Sequence, residues 1–133
     1  MDVANRRISD QLHLMGQILE ILDENPFKVR AYTRAAELIE RLATPVADIS
    51  LEELESIEGI GTAIAQKVRE MVENGTFREL EEVKGRVPPG LVEMLALEGV
   101  GPKTVRALWK KLHVETIEDL EKAARGHRIR ARK

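Results

Sequence analysis

The chain has 133 residues, 43% of them hydrophobic and 33% charged, with a net charge of −2; this fits one helical domain or two very small ones and is short for an enzyme with a deep pocket. It contains no cysteine and only 3% aromatics, which excludes disulfides, thiolate metal sites and thiol catalysis and leaves the core to Leu, Ile, Val, Ala and Met. No apolar run approaches the roughly 18 to 20 residues of a membrane span, and the opening MDVANRRISDQ lacks a signal-peptide core, so no membrane partner and a cytoplasmic location are expected.

Residues 6 to 23 predict an amphipathic helix, with Ile8, Leu12, Met15, Leu19 and Leu22 at helical spacing and Ile18 and Ile21 widening the stripe. Asn25 before Pro26 predicts a capped restart, and the next helix sets Val29, Tyr32, Ala35, Ala36 and Ile39 on one face, its small residues allowing close packing. Thr44-Pro45 ends that helix. Ser50 and Glu53 form a capping-box signature for a short helix, and a longer one follows from Thr62, with Ile64, Val68, Met71 and Val72 inward and Gly75 beyond its end. After a further turn through FRELEEVKG, Pro88-Pro89 marks a seam. Beyond it come GLVEMLALEGVG, the helix PKTVRALWKKL, and a last helix capped by Thr116 and Asp119 and running through Ala124. No stretch alternates like a strand, so the fold class is all-α. Two small helical subdomains are expected, residues 1–86 and 87–125, followed by a basic tail, 126–133, carrying Arg128, Arg130, Arg132 and Lys133.

One motif occurs twice. Ile57-Glu58-Gly59-Ile60-Gly61 returns 40 residues later as Leu97-Glu98-Gly99-Val100-Gly101, each copy after a short helix and before a longer one. The first glycine supplies a positive φ, the Ile or Val enters the two-helix core, and the second glycine admits a close backbone approach. The following helix aims free N–H groups and its positive end at the same point, which suits a phosphate bound without reading sequence. The residues implicated are Gly59, Ile60, Gly61 and Thr62 in the first copy and Gly99, Val100 and Gly101 in the second. Lys103 and Arg106, nearest the start of their helix, are the basic side chains in reach. Three scattered histidines, His13, His113 and His127, have no metal-ligand spacing, and Trp109 is expected in the core.

The duplicated unit resembles the helix-hairpin-helix motif of sequence-independent DNA-binding proteins. Three stretches in order, NPFKVRAYTRAAELIERL, IEGIGTAIAQKVREMVENGTFRELEEV and LEGVGPKTVRALWKKLHVETIEDLEKAA, extend the likeness to the amino-terminal region of family X DNA polymerases over roughly residues 5 to 125. That resemblance implies a lyase-type first part that engages the 5′-phosphate side of a gap, and a second hairpin that grips duplex DNA. It also implies a monovalent cation, Na+ or K+, held by the carbonyls of Glu55, Ile57 and Ile60 in one hairpin and of Leu95, Leu97 and Val100 in the other; no other cofactor is required.

Lys67 matches the family's Schiff-base nucleophile for 5′-deoxyribose phosphate, whose amine must be unprotonated part of the time. Lys28 matches a phosphate-binding lysine, Tyr32 a tyrosine of that pocket and Arg34 a basic neighbour. Glu55, Ala63 and Gln66 depart from the pattern and reduce the positive charge around the first hairpin. Nothing in the sequence matches the metal-binding aspartates of the nucleotidyl-transfer domain, so a fragment unable to polymerise is expected. The implied role is binding of gapped, nicked or 5′-phosphorylated DNA in base excision repair, in a prokaryotic, nucleoid-associated setting. The alternatives are a 5′-deoxyribose phosphate lyase and a helical protein-interaction module that binds no DNA.

Overall fold

The computed structural model describes residues 3–126, and among them every regular element is helical. The order is α1 (Val3–Ile21), α2 (Pro26–Glu40), a short 3-10 turn (Val46–Asp48), α3 (Leu51–Ser56), α4 (Thr62–Asn74), α5 (Arg78–Lys84), α6 (Pro89–Leu95), α7 (Pro102–Leu112) and α8 (Ile117–Arg125). The all-α expectation holds. The 3-10 turn was not foreseen, α1 begins three residues before the predicted start, and Pro89 opens α6 rather than merely separating two halves. The basic side chains of the predicted tail lie outside the described residues.

Helix α1 is the axis of the molecule. Ile8, Leu12, Met15, Ile18, Leu19 and Ile21 are all buried, and α2, α4, α5 and α7 pack around them. The approach of α2 is close because the contact is built from small residues: Ala35 and Ala36 are fully buried, and a Cβ at Gly16 would already lie 3.3 Å from the Thr33 hydroxyl oxygen. Two polar residues share the apolar stripe of α1, and both are satisfied across the interface. The Ser9 hydroxyl donates to the Ala36 carbonyl at 2.8 Å. Asn5, fully buried, donates to the Thr44 carbonyl at 3.0 Å and accepts from the Val46 amide at 2.7 Å. The loop after α2 is thereby fastened to the first turn of α1.

Helix termini follow their sequence signals closely. Asn25 accepts from the Phe27 amide, Ser50 and Glu53 form the reciprocal capping box, Thr116 accepts from the Asp119 amide, and Gly75 ends α4 with φ +82°. Where glycine is absent the chain still takes left-handed turns: Asp23 (φ +60°) follows α1 and His113 (φ +57°) follows α7. The second hairpin is in contact with the first helix of the chain. Helix α7 packs on α1, and the Arg106 guanidinium donates to the carbonyl of Ile21 at the end of α1. Gly90 lets α6 lie on the α7–α8 connection, since a Cβ there would collide with the Glu115 carbonyl.

Candidate functional site

The 40-residue repeat is a repeat of backbone geometry. In the first copy the Ile57 amide donates to Leu54, the Ile60 amide to Ile57 and the Ala65 amide to Gly61; in the second, Leu97 donates to Met94, Val100 to Leu97 and Val105 to Gly101. Gly59 has φ +100° and Gly99 φ +80°, a conformation that costs an L-residue about 1–2 kcal/mol. Gly61 (φ −84°, ψ 174°) and Gly101 (φ −105°, ψ 176°) are extended and open to any residue type.

The two glycines of each pair therefore answer to different demands. Chain geometry calls for the first. Nothing inside the protein calls for the second, because no atom lies within 4 Å of where a Cβ at Gly61 or Gly101 would stand. Helices α4 and α7 also start without a side-chain cap, as do the shorter α5 and α6, whereas α2, α3 and α8 are capped. The amides of Thr62, Ala63 and Ile64, and of Lys103 and Thr104, precede the first intrahelical donors, Ala65 and Val105, and have no helical carbonyl to donate to. Ile60 is buried and Val100 half-buried, each anchoring its turn as expected.

The basic residues named from sequence fall into three groups. Arg34 on α2 lies over the first hairpin, close enough that a Cβ at Gly59 would be 2.6 Å from its Nε. With Arg30 and, from α7, Lys103, it lines a groove of about 880 Å³ that also holds Phe27, Glu20, Asp23, Glu24 and Glu37. Phe27 is 75% exposed, and the Arg30 guanidinium sits 4.7 Å from its ring centre. Arg106 has an internal task instead, bonding to the Ile21 carbonyl and lying 3.9 Å from Asp23. Trp109 is half-buried, with the Lys110 ammonium 4.0 Å from its ring.

Lys28, Tyr32 and Lys67 do converge, on a residue that sequence reasoning missed. Glu79, at the start of α5, lies 3.3 Å from Lys28 Nζ and 3.5 Å from Lys67 Nζ, and accepts the Tyr32 hydroxyl at 3.3 Å. Tyr32 is stacked on Phe77, with ring centres 6.4 Å apart, which fixes the start of α5 against α2. Burial alone would raise the Glu79 carboxyl, but the charges of Lys67 and Lys28, with hydrogen bonds from Lys28 and Tyr32, outweigh it and hold the group below its ordinary value. Burial first, then the Glu79 charge and hydrogen bond, push the Tyr32 phenol well above its usual range. A pocket of about 370 Å³ opens beside this cluster, lined by Lys67, Gln66 and Arg78 together with Glu70, Glu79 and Glu82. Only tertiary contact singles out Glu79 from the neighbouring acids in FRELEEV.

Residues 3–77 match the Helix-hairpin-helix domain family, and residues 91–132 match the SAM-like Helix-hairpin-helix tandem. The chain is a helix-hairpin-helix protein. Along its length it is homologous to the amino-terminal region of family X DNA polymerases. It is 30% identical over 118 residues to the DNA polymerase/3′-5′ exonuclease PolX of Bacillus subtilis (strain 168), covering 89% of this chain and 20% of that protein. DNA polymerase lambda of Rattus norvegicus is 26% identical over 117 residues, 87% of this chain and 19% of the relative. DNA polymerase lambda of Arabidopsis thaliana is 29% identical over 118 residues, 88% and 22% respectively. This helix-hairpin-helix chain thus spans about a fifth of the length of the relatives it matches. Among the described residues no helix is long and apolar enough to cross a membrane, and no cluster of three His, Cys, Asp or Glu side chains could hold a metal ion.

Proposed function

We propose that this chain binds gapped or nicked DNA through backbone phosphates, without regard to sequence, in repair synthesis. One observation carries the reading: Gly61 and Gly101 are glycines that the fold does not need, each in front of an uncapped helix. Backbone amides and the positive helix end bind a phosphate there without contacting a base. Arg34 beside the first hairpin and Lys103 beside the second supply mobile positive charge, and the exposed ring of Phe27 offers a face on which an unpaired base can stack. The family X relatives, polymerases by name, support DNA as the polyanion.

The cation expected in each hairpin fits the same frame. Glu55 and Leu95 stand in the last turn of α3 and α6, where helix carbonyls lack intrahelical partners. With those of Ile57, Ile60, Leu97 and Val100, they are neutral oxygen donors, suited to an alkali cation rather than to zinc. Such an ion would add positive charge at the phosphate.

Gly61→Val and Gly101→Val test the proposal directly. Each is expected to retain the wild-type melting temperature and to weaken binding to a one-nucleotide-gap duplex. Wild-type affinity should fall with salt by about 0.9 logarithmic units per phosphate contact per decade of salt. A protein-interaction module would instead show no DNA binding and no response to either substitution. The 5′-deoxyribose phosphate lyase reading has weaker geometric support, because the Lys67 amine is engaged by Glu79.

A further inference from the structure

The pocket beside α5 bears on which end of a broken strand the protein accepts. Lys28 and Tyr32 come from α2 and Lys67 from α4, and all three turn their polar atoms onto one group. Both Glu79 oxygens are used: Oε1 meets Lys28 at 3.3 Å and the Tyr32 hydroxyl at 3.3 Å, and Oε2 meets Lys67 at 3.5 Å. Two ammonium groups and an O–H donor around an anion form the donor set of a phosphomonoester site. Here the anion belongs to the protein.

The backbone that carries Glu79 is anchored on its amino-terminal side. The Phe77 ring two residues earlier stacks under Tyr32, and the Arg78 amide donates to the Glu70 carboxylate at 2.7 Å. An incoming phosphate would have to displace Glu79 from both lysines, and it would meet Glu70 and Glu82 at the pocket wall. Only Arg78 adds a positive charge to that lining.

We propose that Glu79 is a built-in surrogate for a terminal phosphate, occupying the anion site of Lys28, Tyr32 and Lys67, so that interrupted DNA is bound indifferently to its 5′-phosphate and the Lys67 amine is withheld from aldehydes. The first half rests on the DNA-binding reading; the second does not. Glu79 is on this account the residue that sets end specificity, by denying the site to a dianion.

Two measurements on the 133-residue chain separate these halves. The first is the ratio of affinities for a one-nucleotide-gap duplex ending in a 5′-phosphate or a 5′-hydroxyl. The second is labelling with pyridoxal 5′-phosphate, which carries an aldehyde and a phosphate: the Lys67 amine adds to the aldehyde carbon, water leaves, and borohydride reduces the imine to a secondary amine. Peptide mapping scores Lys67 against the exposed Lys111. In wild type the affinity ratio is near unity and Lys67 is poorly labelled. In Glu79→Gln, or in Glu79→Ala should the first variant fail to fold, the ratio shifts toward the phosphate by about threefold to tenfold, and Lys67 labelling rises severalfold relative to Lys111. Equal Lys67 labelling in wild type and variant overturns the proposal whatever the DNA does; so does an unchanged end ratio when the gap is bound. Increased labelling without any DNA binding upholds the pocket assignment and sinks the DNA reading.

Discussion

Arg34 lies across Gly59 so closely that a Cβ on the glycine would stand 2.6 Å from Arg34 Nε and 2.8 Å from a methyl carbon of Leu38. Its counterpart in the repeat, Gly99, has the same left-handed backbone with nothing within 4 Å. Gly99→Ala should therefore cost only the backbone strain of about 1–2 kcal/mol. Gly59→Ala should cost more, by about 1 kcal/mol or above, because α2 must also give way. Chemical denaturation of both variants checks the order; equal losses would mean that Arg34 and Leu38 move freely aside.

Lys103 and Arg106 sit one turn apart on α7 and should behave differently. Lys103 is exposed beside the second hairpin. Lys103→Gln is expected to lower the salt dependence of DNA binding by about 0.9 and leave the midpoint of unfolding within about 0.5 kcal/mol of wild type. Arg106→Gln removes the guanidinium that meets the Ile21 carbonyl and should destabilise the fold by about 1 kcal/mol. A salt titration and a denaturation curve for each variant decide between the roles.

Asn5 is a third case, set entirely by burial. Asn5→Ala leaves the Val46 amide and the Thr44 carbonyl without the partners they have at 2.7 and 3.0 Å, and should cost about 1–3 kcal/mol. Asn5→Asp keeps the acceptor for Val46 but turns a donor toward Thr44 into a buried charge, and should be no better. Thermal unfolding of the two variants measures the effect.

The Glu79 cluster predicts a pH dependence with a definite sign. Its carboxyl titrates lower in the folded protein than in the unfolded chain, so its contribution is complete above the ordinary carboxylate range and is lost as pH falls through the depressed folded value. Wild type should thus be more stable than Glu79→Gln at neutral pH, with the difference vanishing on acidification. A constant difference across a denaturation series from pH about 7 to about 3 would show that the ion pairs carry no stability.

How much of this could be read from the chain depends on sequence distance. The caps of Asn25, Ser50 and Thr116 and the end of α4 at Gly75 were legible because each cap involves residues within a turn of one another. The hairpins were legible because one local pattern occurs twice. Glu79 meets Tyr32 across 47 positions and Arg106 meets Ile21 across 85. Nothing local distinguishes Glu79 from Glu81 or Glu82, or the inward Arg106 from the outward Lys103. Gly90 is similar: its need to be small comes from Glu115 on another element, so it reads in sequence as an ordinary residue after a proline pair. Asn5 and Ser9 sit on the apolar face of α1, where periodicity treats them as interruptions rather than as fasteners to the next segment.

The absence of side-chain caps on α4 and α7 also gives the protein two native reporters. Amides of Ala63 and Ile64, and of Lys103 and Thr104, have no helical carbonyl ahead of them, so their chemical shifts and exchange rates record whatever fills the space in front of each glycine. Because the two sets belong to different residue types at separate positions of the chain, occupancy of each hairpin can be followed separately with an unlabelled titrant and no probe attached to either partner.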